Sequence, residues 1–343
     1  MNQLRILVEG VGGIGGVVAA RLLRAGHDAT LVTSNPEITR AVNERGLVVT
    51  TLNEKFTQPA QAYTALEDLP RGGRFDAALL LMKAHPVVAA AKATLPYLEP
   101  EGGYVVTCQN GIVEDAVAAA VGAERVVSAI IGWGGTMHAP GVYEKTGPGE
   151  IHLGELDGRK TERLEALAEA LRAVTPVVVT DNIRGALWTK LAINCTITTL
   201  GALTGETLGV MLGDRRIRRA FLETYREVLD TALAHGIWLE RVAVNPSLLY
   251  LAPDAGPLKR FFKDLLVVAV GRKYGRLKSS MLQSLERGRP TEIDYLNGYV
   301  VEKAREAGME VPLNAALVRM VKEIEGGTRI IQKQNMVELL AAL

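Results

Sequence analysis

Residues 6–16 read Ile-Leu-Val-Glu-Gly-Val-Gly-Gly-Ile-Gly-Gly, and this stretch decides the fold of the chain. The apolar run Ile6–Val8 is typical of a short buried strand, and Gly10, Gly12 and Gly15 follow it with the spacing G-x-G-x-x-G. A helical pattern begins directly afterwards, which is the strand–turn–helix context of a dinucleotide-binding turn. Similar turns are purely structural in other α/β domains, but the flanking pattern here favours a bound dinucleotide.

Each glycine of this turn has its own physical role in that interpretation. Gly10 permits the tight turn, Gly12 has no side chain to block a pyrophosphate, and Gly15 lets helix and strand pack closely. The helix N-terminus then offers N–H groups and a positive dipole end to phosphates. The predicted cofactor contacts in this turn are Gly10, Gly12, Gly13, Ile14 and Gly15.

Composition argues for a soluble, cytoplasmic protein. The 343 residues carry a net charge of +1 and 22% charged residues, so neither nucleic acid nor an anionic membrane is an expected partner. The chain starts on an apolar strand and has no apolar run of about 20 residues, so we expect no signal peptide and no membrane span. The two cysteines and five histidines show no disulfide framework or metal-ligand spacing, so we predict no metal site.

The order of predicted elements indicates two domains. Strands alternate with helices through residues 1–182, which predicts a Rossmann-type, doubly wound parallel sheet, and the pattern over 183–343 is almost entirely helical. The fold class is therefore α/β with an all-helical C-terminal domain, and we expect a substrate cleft between the two. Further expectations concern single segments: extended segments over 47–52 and 58–63, a hairpin over 141–154, a loop insertion over 242–258 and a helix over 293–307.

Polar residues follow two of the predicted strands. Lys83 comes after the apolar run Ala77–Met82, and Asn110 comes after the strand Tyr104–Thr107. Ligands of open α/β sheets bind at this carboxyl edge. Lys83 therefore either reaches a phosphate or carboxylate or is a solvated loop residue, and Asn110 either lies near a nicotinamide or only forms a turn.

Two further segments carry residues suited to catalysis. Lys190 and Asn194 are four apart in an apolar helix, so they share one face. Lys190 either faces a partly dry cleft and acts as a general acid, or it extends to water. Further on, Thr291 and Asp294 are candidate helix caps, and Glu292 is either a first-turn acid aligned with the helix dipole or a functional carboxylate.

The order and spacing of the motifs resemble the ketopantoate reductase family (2-dehydropantoate 2-reductases) over nearly the whole chain. The resemblance rests on the N-terminal glycine turn, Met82-Lys83-Ala84, Gln109-Asn110-Gly111, Trp188-Thr189-Lys190 with Asn194, Ser279-Ser280-Met281, Thr291-Glu292-Ile293-Asp294 with Asn297-Gly298, and the region of Pro312-Leu313-Asn314. It implies NADPH-dependent reduction of 2-dehydropantoate, or a closely related 2-keto acid, to the 2-hydroxy acid, and it implies a homodimer with a small-molecule substrate.

The resemblance also implies residue roles. Lys190 matches the catalytic lysine, which donates the proton, and Glu292 matches the essential acid, which contacts substrate and cofactor. Asn110, Asn194 and Ser280 match substrate- or cofactor-contacting positions, and Lys83 matches a cofactor-phosphate lysine.

Three positions depart from the family pattern. Ser34 stands where an arginine grips the 2′-phosphate of NADP, and the same strand end has no acidic ribose ligand. Thr198 stands where a second helix asparagine is usual, and Ser284 where an aspartate is usual. We expect NADPH with Ser34 as a cofactor contact, and we expect Thr198 and Ser284 to line the substrate site. These departures leave open whether the substrate is 2-dehydropantoate itself or a different 2-keto acid.

Two alternative functions remain at the level of sequence. An opine- or imine-forming dehydrogenase would use the same scaffold, but it needs a place for an amine. A non-catalytic nucleotide-sensing regulator would keep the glycine turn, but it needs neither Lys190 nor Glu292.

Overall fold

The computed structural model describes residues 4–242 and 245–342. The chain divides into two compact units. The first runs to Gln109 and resumes over Val113–Ile183, and the second comprises Asn110–Ile112 and the chain from Arg184 onward. The short segment that carries Asn110 thus belongs to the second unit, although it follows a strand of the first.

The first unit is built on a mainly parallel sheet of eight strands among the described residues. They are β1 (Arg5–Glu9), β2 (Asp28–Val32), β5 (Ala62–Tyr63), β6 (Ala77–Leu80), β7 (Tyr104–Thr107), β8 (Val126–Ile131), β11 (Ile151–Glu155) and β12 (Val177–Val179). Their order in the sheet is β12-β11-β8-β7-β6-β1-β2-β5. The part β5-β2-β1-β6-β7-β8 has the order of the Rossmann fold, with its topological switch point between β1 and β6.

Helices cover this sheet, and apolar side chains fill the space between. The helices of the unit are α1 (Gly13–Arg24), α2 (Pro36–Arg45), α3 (Val87–Thr94), α4 (Glu114–Val121) and α5 (Glu162–Leu171). Ile6 and Val8 on β1 are fully buried in the core, as are Val17 and Leu22 on α1. The predicted doubly wound α/β fold is confirmed.

A second, four-stranded sheet in this unit was not predicted. It comprises β3 (Leu47–Thr50), β4 (Lys55–Gln58), β9 (Gly135–Ala139) and β10 (Val142–Lys145), in the order β4-β3-β10-β9. The expected hairpin over 141–154 is wrong, because β9 and β10 form the hairpin and β11 instead pairs antiparallel with β8 of the main sheet. Gly141 makes the turn between β9 and β10 with φ of +79°, a left-handed conformation that glycine adopts without strain.

Helices are the main regular elements of the second unit over its described residues. Its helices are α6 (Ile183–Thr204), α7 (Leu208–Gly213), α8 (Arg215–Ala234), α9 (Pro257–Lys273), α10 (Ser280–Glu286), α11 (Asn297–Glu306), α12 (Pro312–Glu325) and α13 (Asn335–Leu340). The helix expected over 293–307 is wrong at its start, because a 3₁₀ turn at Ile293–Tyr295 precedes α11 and Leu296 between them has φ −104° and ψ −102°. The loop expected over 242–258 contains a 3₁₀ turn at Pro246–Leu248 and ends where α9 begins, and its residues 243 and 244 lie outside the described range.

Two kinds of feature are absent from the described residues. No described helix is long and apolar enough to cross a membrane. No group of three or more His, Cys, Asp or Glu side chains within 4–242 and 245–342 is arranged to hold a metal ion.

Candidate active site

The second unit contains an open pocket whose lining residues border about 270 Å³ of space, part of which is open to solvent. The residues that line it are Asn110, Asn194, Thr198, Ser280, Met281, Ser284, Glu292 and Leu296. Six of these eight are residues that the sequence predicts for the substrate site. All eight belong to the second unit, so the pocket is a feature of that unit alone.

Helix α6 supplies one wall of the pocket. Asn194 and Thr198 are one turn apart on it and are therefore on the same face. The Thr198 hydroxyl donates a 2.7 Å hydrogen bond to the Asn194 carbonyl oxygen, one turn earlier in the same helix. Lys190 precedes Asn194 by one turn and is half-buried, but it is not among the residues that line the pocket.

Helix α10 supplies a second wall. Ser279 caps its N-terminus by accepting a 3.0 Å hydrogen bond from the backbone N–H of Leu282. The cap lies against α6 at Gly201, where an added Cβ would be 2.8 Å from the Cβ of Ser279. Glycine at this position therefore allows α10 to begin beside α6, and Ser280 and Ser284 follow the cap into the pocket.

Glu292 reaches the pocket from the turn that precedes α11. Its side chain is 8% exposed, and it occupies the N-cap position of the 3₁₀ turn without capping it. Thr291 makes the local bond instead, because its hydroxyl accepts from the Ile293 N–H at 3.2 Å. Asp294, the other expected cap, forms a 2.5 Å ion pair with Lys322 on α12.

Asn110 is held in the pocket by a contact with the same turn. Gly111 has φ of +87°, and an added Cβ there would lie 2.3 Å from the carbonyl oxygen of Tyr295. The Ile112 N–H donates a 3.3 Å hydrogen bond to that same oxygen. At the pocket, Nδ2 of Asn194 lies 3.5 Å from Oδ1 of Asn110, the long limit of a hydrogen bond.

The glycine turn of the first unit has the close contacts that its sequence predicts. An added Cβ on Gly15 would lie 1.9 Å from the carbonyl oxygen of Gly10, and one on Gly10 would lie 2.6 Å from the Met82 nitrogen. At Gly12, by contrast, an added Cβ meets nothing within 4 Å. Gly12 is the N-cap of α1, and no side chain of the described residues makes a cap hydrogen bond there. This open, backbone-lined helix N-terminus fits a dinucleotide pyrophosphate.

The other predicted cofactor residues of the first unit lie at the start of α1 or directly after strands of the main sheet. Gly13 and Ile14 open α1, where an added Cβ on Gly13 would strike the Gly135 carbonyl oxygen at 2.3 Å. Ser34 follows β2 and Lys83 follows β6, the two strands that flank β1, and both residues are exposed. The three strands are parallel, so these residues share the carboxyl edge of the sheet with the glycine turn.

Two family models match this chain. One, described as "Ketopantoate reductase PanE/ApbA", matches residues 6–158, and the other, described as "Ketopantoate reductase PanE/ApbA C terminal", matches residues 182–325. The chain belongs to the ketopantoate reductase family. This is a family of oxidoreductases that act on CH–OH groups and use NADPH.

Named relatives align with nearly the whole length of this chain. It is 29% identical to a 2-dehydropantoate 2-reductase of Mesorhizobium japonicum, over 94% of this chain and 98% of that protein. It is 28% identical to one of Pyrococcus horikoshii, over 95% of this chain and 100% of that protein.

Solved structures agree with this assignment. The PanE/ApbA family ketopantoate reductase from Ralstonia eutropha JMP134 superposes with a TM-score of 0.79 at 26% identity, over 94% of this chain and 99% of that one. A D-mandelate dehydrogenase solved with NADH and anilino(oxo)acetate has the same fold, with a TM-score of 0.78 at 20% identity over 94% of this chain and 98% of that one.

Sequence reasoning missed the apolar side of the pocket. Met281 and Leu296 line it, but neither was among the predicted site residues. Only their positions in the sequence could have indicated a role in the pocket. Met281 directly follows the predicted site residue Ser280, and Leu296 directly precedes Asn297 of a family motif.

Proposed function

We propose that this ketopantoate reductase family member uses NADPH to reduce 2-dehydropantoate, or a closely related 2-keto acid, to the corresponding 2-hydroxy acid. The observation that carries the proposal is the convergence of Asn110, Asn194, Thr198, Ser280, Ser284 and Glu292 on one pocket. These residues come from four separate segments of the chain, so their meeting is a property of the fold rather than of local sequence. The names of the relatives support the same substrate.

The pocket chemistry suits a small, partly polar anion. Asn194 and Ser280 offer N–H and O–H donors, which would orient the substrate carboxylate and hydroxyl. Glu292 would accept a hydrogen bond from a substrate hydroxyl, and its carboxylate favours a pose with the substrate carboxylate on the amide side. Met281 and Leu296, which are 4% and 2% exposed, offer an apolar surface to the hydrocarbon part of the substrate.

Lys190 is our proposed general acid. It lies one turn before Asn194 on the same face of α6. An ammonium group there would stabilise the negative charge that develops on the ketone oxygen and then donate a proton to it. Glu292 would help to orient this lysine and the substrate hydroxyl.

NADPH, when bound, supplies the hydride that the ketone carbon accepts. Gly10, Gly12, Gly13, Ile14 and Gly15 would hold the pyrophosphate at the N-terminus of α1. Ser34 would donate a hydrogen bond to the 2′-phosphate and Lys83 would add positive charge. Asn110 and Glu292 are proposed as further cofactor contacts.

Oxidation of NADPH by a panel of 2-keto acids tests the proposal. The panel contains ketopantoate, its analogue without the terminal hydroxyl, and linear 2-keto acids, each with NADH as the cofactor control and each with and without a primary amine. We expect turnover with ketopantoate or a near analogue and no requirement for the amine. Turnover that depends on the amine would favour an opine- or imine-forming dehydrogenase, and no turnover with any keto acid would leave a nucleotide-sensing role. Light scattering of the same preparation measures whether the protein is the homodimer that the resemblance predicts.

A further inference from the structure

Asn297 is completely buried at the first residue of α11, directly after Leu296 of the pocket. Its side chain bonds at two points to α6, the helix that forms one wall of the pocket. Its Nδ2 donates a 3.1 Å hydrogen bond to the carbonyl oxygen of Cys195, and its Oδ1 accepts a 2.7 Å hydrogen bond from the hydroxyl of Thr199. Both partners are on α6.

The partners of Asn297 are the sequence neighbours of pocket residues. Cys195 directly follows Asn194, and Thr199 directly follows Thr198. The two hydrogen bonds are one helical turn apart on α6. A slide or a rotation of α6 against the Glu292–Leu296 turn would lengthen at least one of them, so together they fix that spacing.

Asn297 is itself held by a buried polar chain. Its Nδ2 also donates to Oδ1 of Asn314 at 2.9 Å, and Nδ2 of Asn314 donates to Oε2 of Glu227 at 2.7 Å. The Glu227 carboxylate on α8 also accepts from the backbone N–H groups of Leu313 and Asn314, at 3.0 and 2.9 Å. The amide of Asn297 therefore has fixed partners on both sides, which leaves it little freedom to follow a moving α6.

We propose that Asn297 is a positioning residue for the keto acid site. It holds Asn194 and Thr198 on α6 at a fixed spacing from Glu292 and Leu296, without itself lining the pocket. This inference rests on the proposed function of the pocket. It predicts that loss of the Asn297 hydrogen bonds lowers kcat/KM for the keto acid and leaves NADPH affinity nearly unchanged. A similar loss of stability elsewhere in the second unit should not lower kcat/KM.

Asn297→Leu removes all the side-chain hydrogen bonds described above, and Asn335→Leu is its matched control. Asn335 is also a buried amide of the second unit, with Nδ2 donating to the carbonyl oxygens of Leu203 and Ile330, but it does not line the pocket. We expect both variants to lose thermal stability, and only Asn297→Leu to lose at least tenfold in kcat/KM for the keto acid, mostly through KM. NADPH affinity should stay within twofold of wild type in both. Equal losses of kcat/KM in the two variants would overturn the proposal.

Thr199 provides a gentler test should Asn297→Leu fail to fold. Thr199→Val removes the hydroxyl with little change in shape, whereas Thr199→Ser keeps it. The control is Thr196→Val, because Thr196 is buried on the same helix and its hydroxyl donates to the carbonyl oxygens of Ala192 and Ile193 in that helix. We expect a raised KM in Thr199→Val, a near wild-type KM in Thr199→Ser, and no change in Thr196→Val. Identical KM values for Thr199→Val and Thr199→Ser would contradict the proposal.

A structural readout separates this inference from the proposed function. Wild-type protein that reduces no 2-keto acid would refute the function alone. In that case crystal structures of wild type and Thr199→Val decide the inference, because it requires the Cα–Cα distance from Asn194 to Glu292 to change. An unchanged distance would refute it.

Discussion

The backbone of Gly111 lies so close to the carbonyl oxygen of Tyr295 that an added Cβ would be 2.3 Å from that oxygen. The contact joins the segment after β7 to the turn that presents Glu292, although more than 180 residues separate them in sequence. It explains why Asn110 belongs to the helical unit and lines its pocket.

Gly111→Ala should therefore displace Asn110 from the pocket. The control is Gly308→Ala, because Gly308 also has positive φ, at +66°, but an added Cβ there meets nothing within 4 Å. Both variants carry the backbone strain of a left-handed alanine, about 1 kcal/mol, and only Gly111→Ala adds a steric clash. We expect kcat/KM for the keto acid to fall at least tenfold more in Gly111→Ala than in Gly308→Ala, measured by steady-state kinetics. Equal activities would show that Asn110 is not needed.

Substitutions of Gly12 and Gly15 in the N-terminal turn should have different effects. A Cβ at Gly12 has no atom of the described residues beyond its own helix within 4 Å, so Gly12→Val should fold. It should nevertheless bind NADPH at least tenfold more weakly, because its side chain occupies the pyrophosphate space. A Cβ at Gly15 would lie 1.9 Å from the Gly10 oxygen, so Gly15→Ala should lose stability before any effect on binding is considered. Thermal unfolding and fluorescence titration with NADPH measure the two properties. Wild-type NADPH affinity in a folded Gly12→Val protein would refute the dinucleotide site.

Local pattern predicted the elements whose partners are near in sequence. The strand–turn–helix at Gly10–Gly15 is one example, because period and glycine spacing are both local signals. The four-stranded second sheet was missed because β3 pairs with β10, with Val48 opposite Val142 at a separation of nearly 100 residues. The break before α11 was missed for a similar reason. It occurs at Leu296, where the backbone leaves the helical region and the side chain turns into a pocket that only the tertiary fold creates.

The site itself was predictable in its polar members only. Asn194, Ser280 and Glu292 are unusual in or beside apolar helices, and the motif resemblance then assigned them to one substrate. Met281 carries no such signal, because an apolar residue in an amphipathic helix is typical of an ordinary core position. Asn297 was quoted as part of a motif, but its role depends on contacts with α6 and α12 that sequence spacing does not reveal.

Ser34 provides a test of cofactor choice. It is exposed after β2, where a cationic side chain would pair with the 2′-phosphate of NADPH. We expect Ser34→Arg to raise the ratio of kcat/KM with NADPH to kcat/KM with NADH by about tenfold to a hundredfold, since a charged hydrogen bond contributes about 1.5–3 kcal/mol. Ser34→Gln is the control of similar length without charge and should leave the ratio near that of wild type. A wild-type preference for NADH would contradict the proposed cofactor.

Glu9, at the end of β1, should make stability depend on pH. Burial raises the pKa of its carboxyl from 4.5 to about 7, against an opposing hydrogen bond from the Thr94 hydroxyl. Between these values the unfolded chain is ionised at Glu9 while the native protein keeps the proton, so the contribution of Glu9 to stability falls as pH rises through this window. The full change corresponds to about 3 kcal/mol. Glu9→Gln should therefore become more stable relative to wild type between pH 5 and pH 8 in urea unfolding, and exposed Glu67→Gln should not. A pH-independent difference would contradict the buried, protonated Glu9.

Lys190 is the most direct test of the proposed chemistry. The interaction that it makes with the ketone oxygen strengthens as the alkoxide forms, so Lys190→Ala should lower kcat by about 10²–10⁴ while NADPH affinity stays near wild type. Lys190→Arg keeps the positive charge, but its guanidinium does not give up a proton in proteins, so it should recover only the electrostatic part of the rate. Single-turnover reduction of the preferred keto acid measures the chemical step without product release. A Lys190→Ala enzyme that works at near wild-type rate would mean that this lysine only extends to water, and that the chain shares the fold of the family without its catalytic lysine.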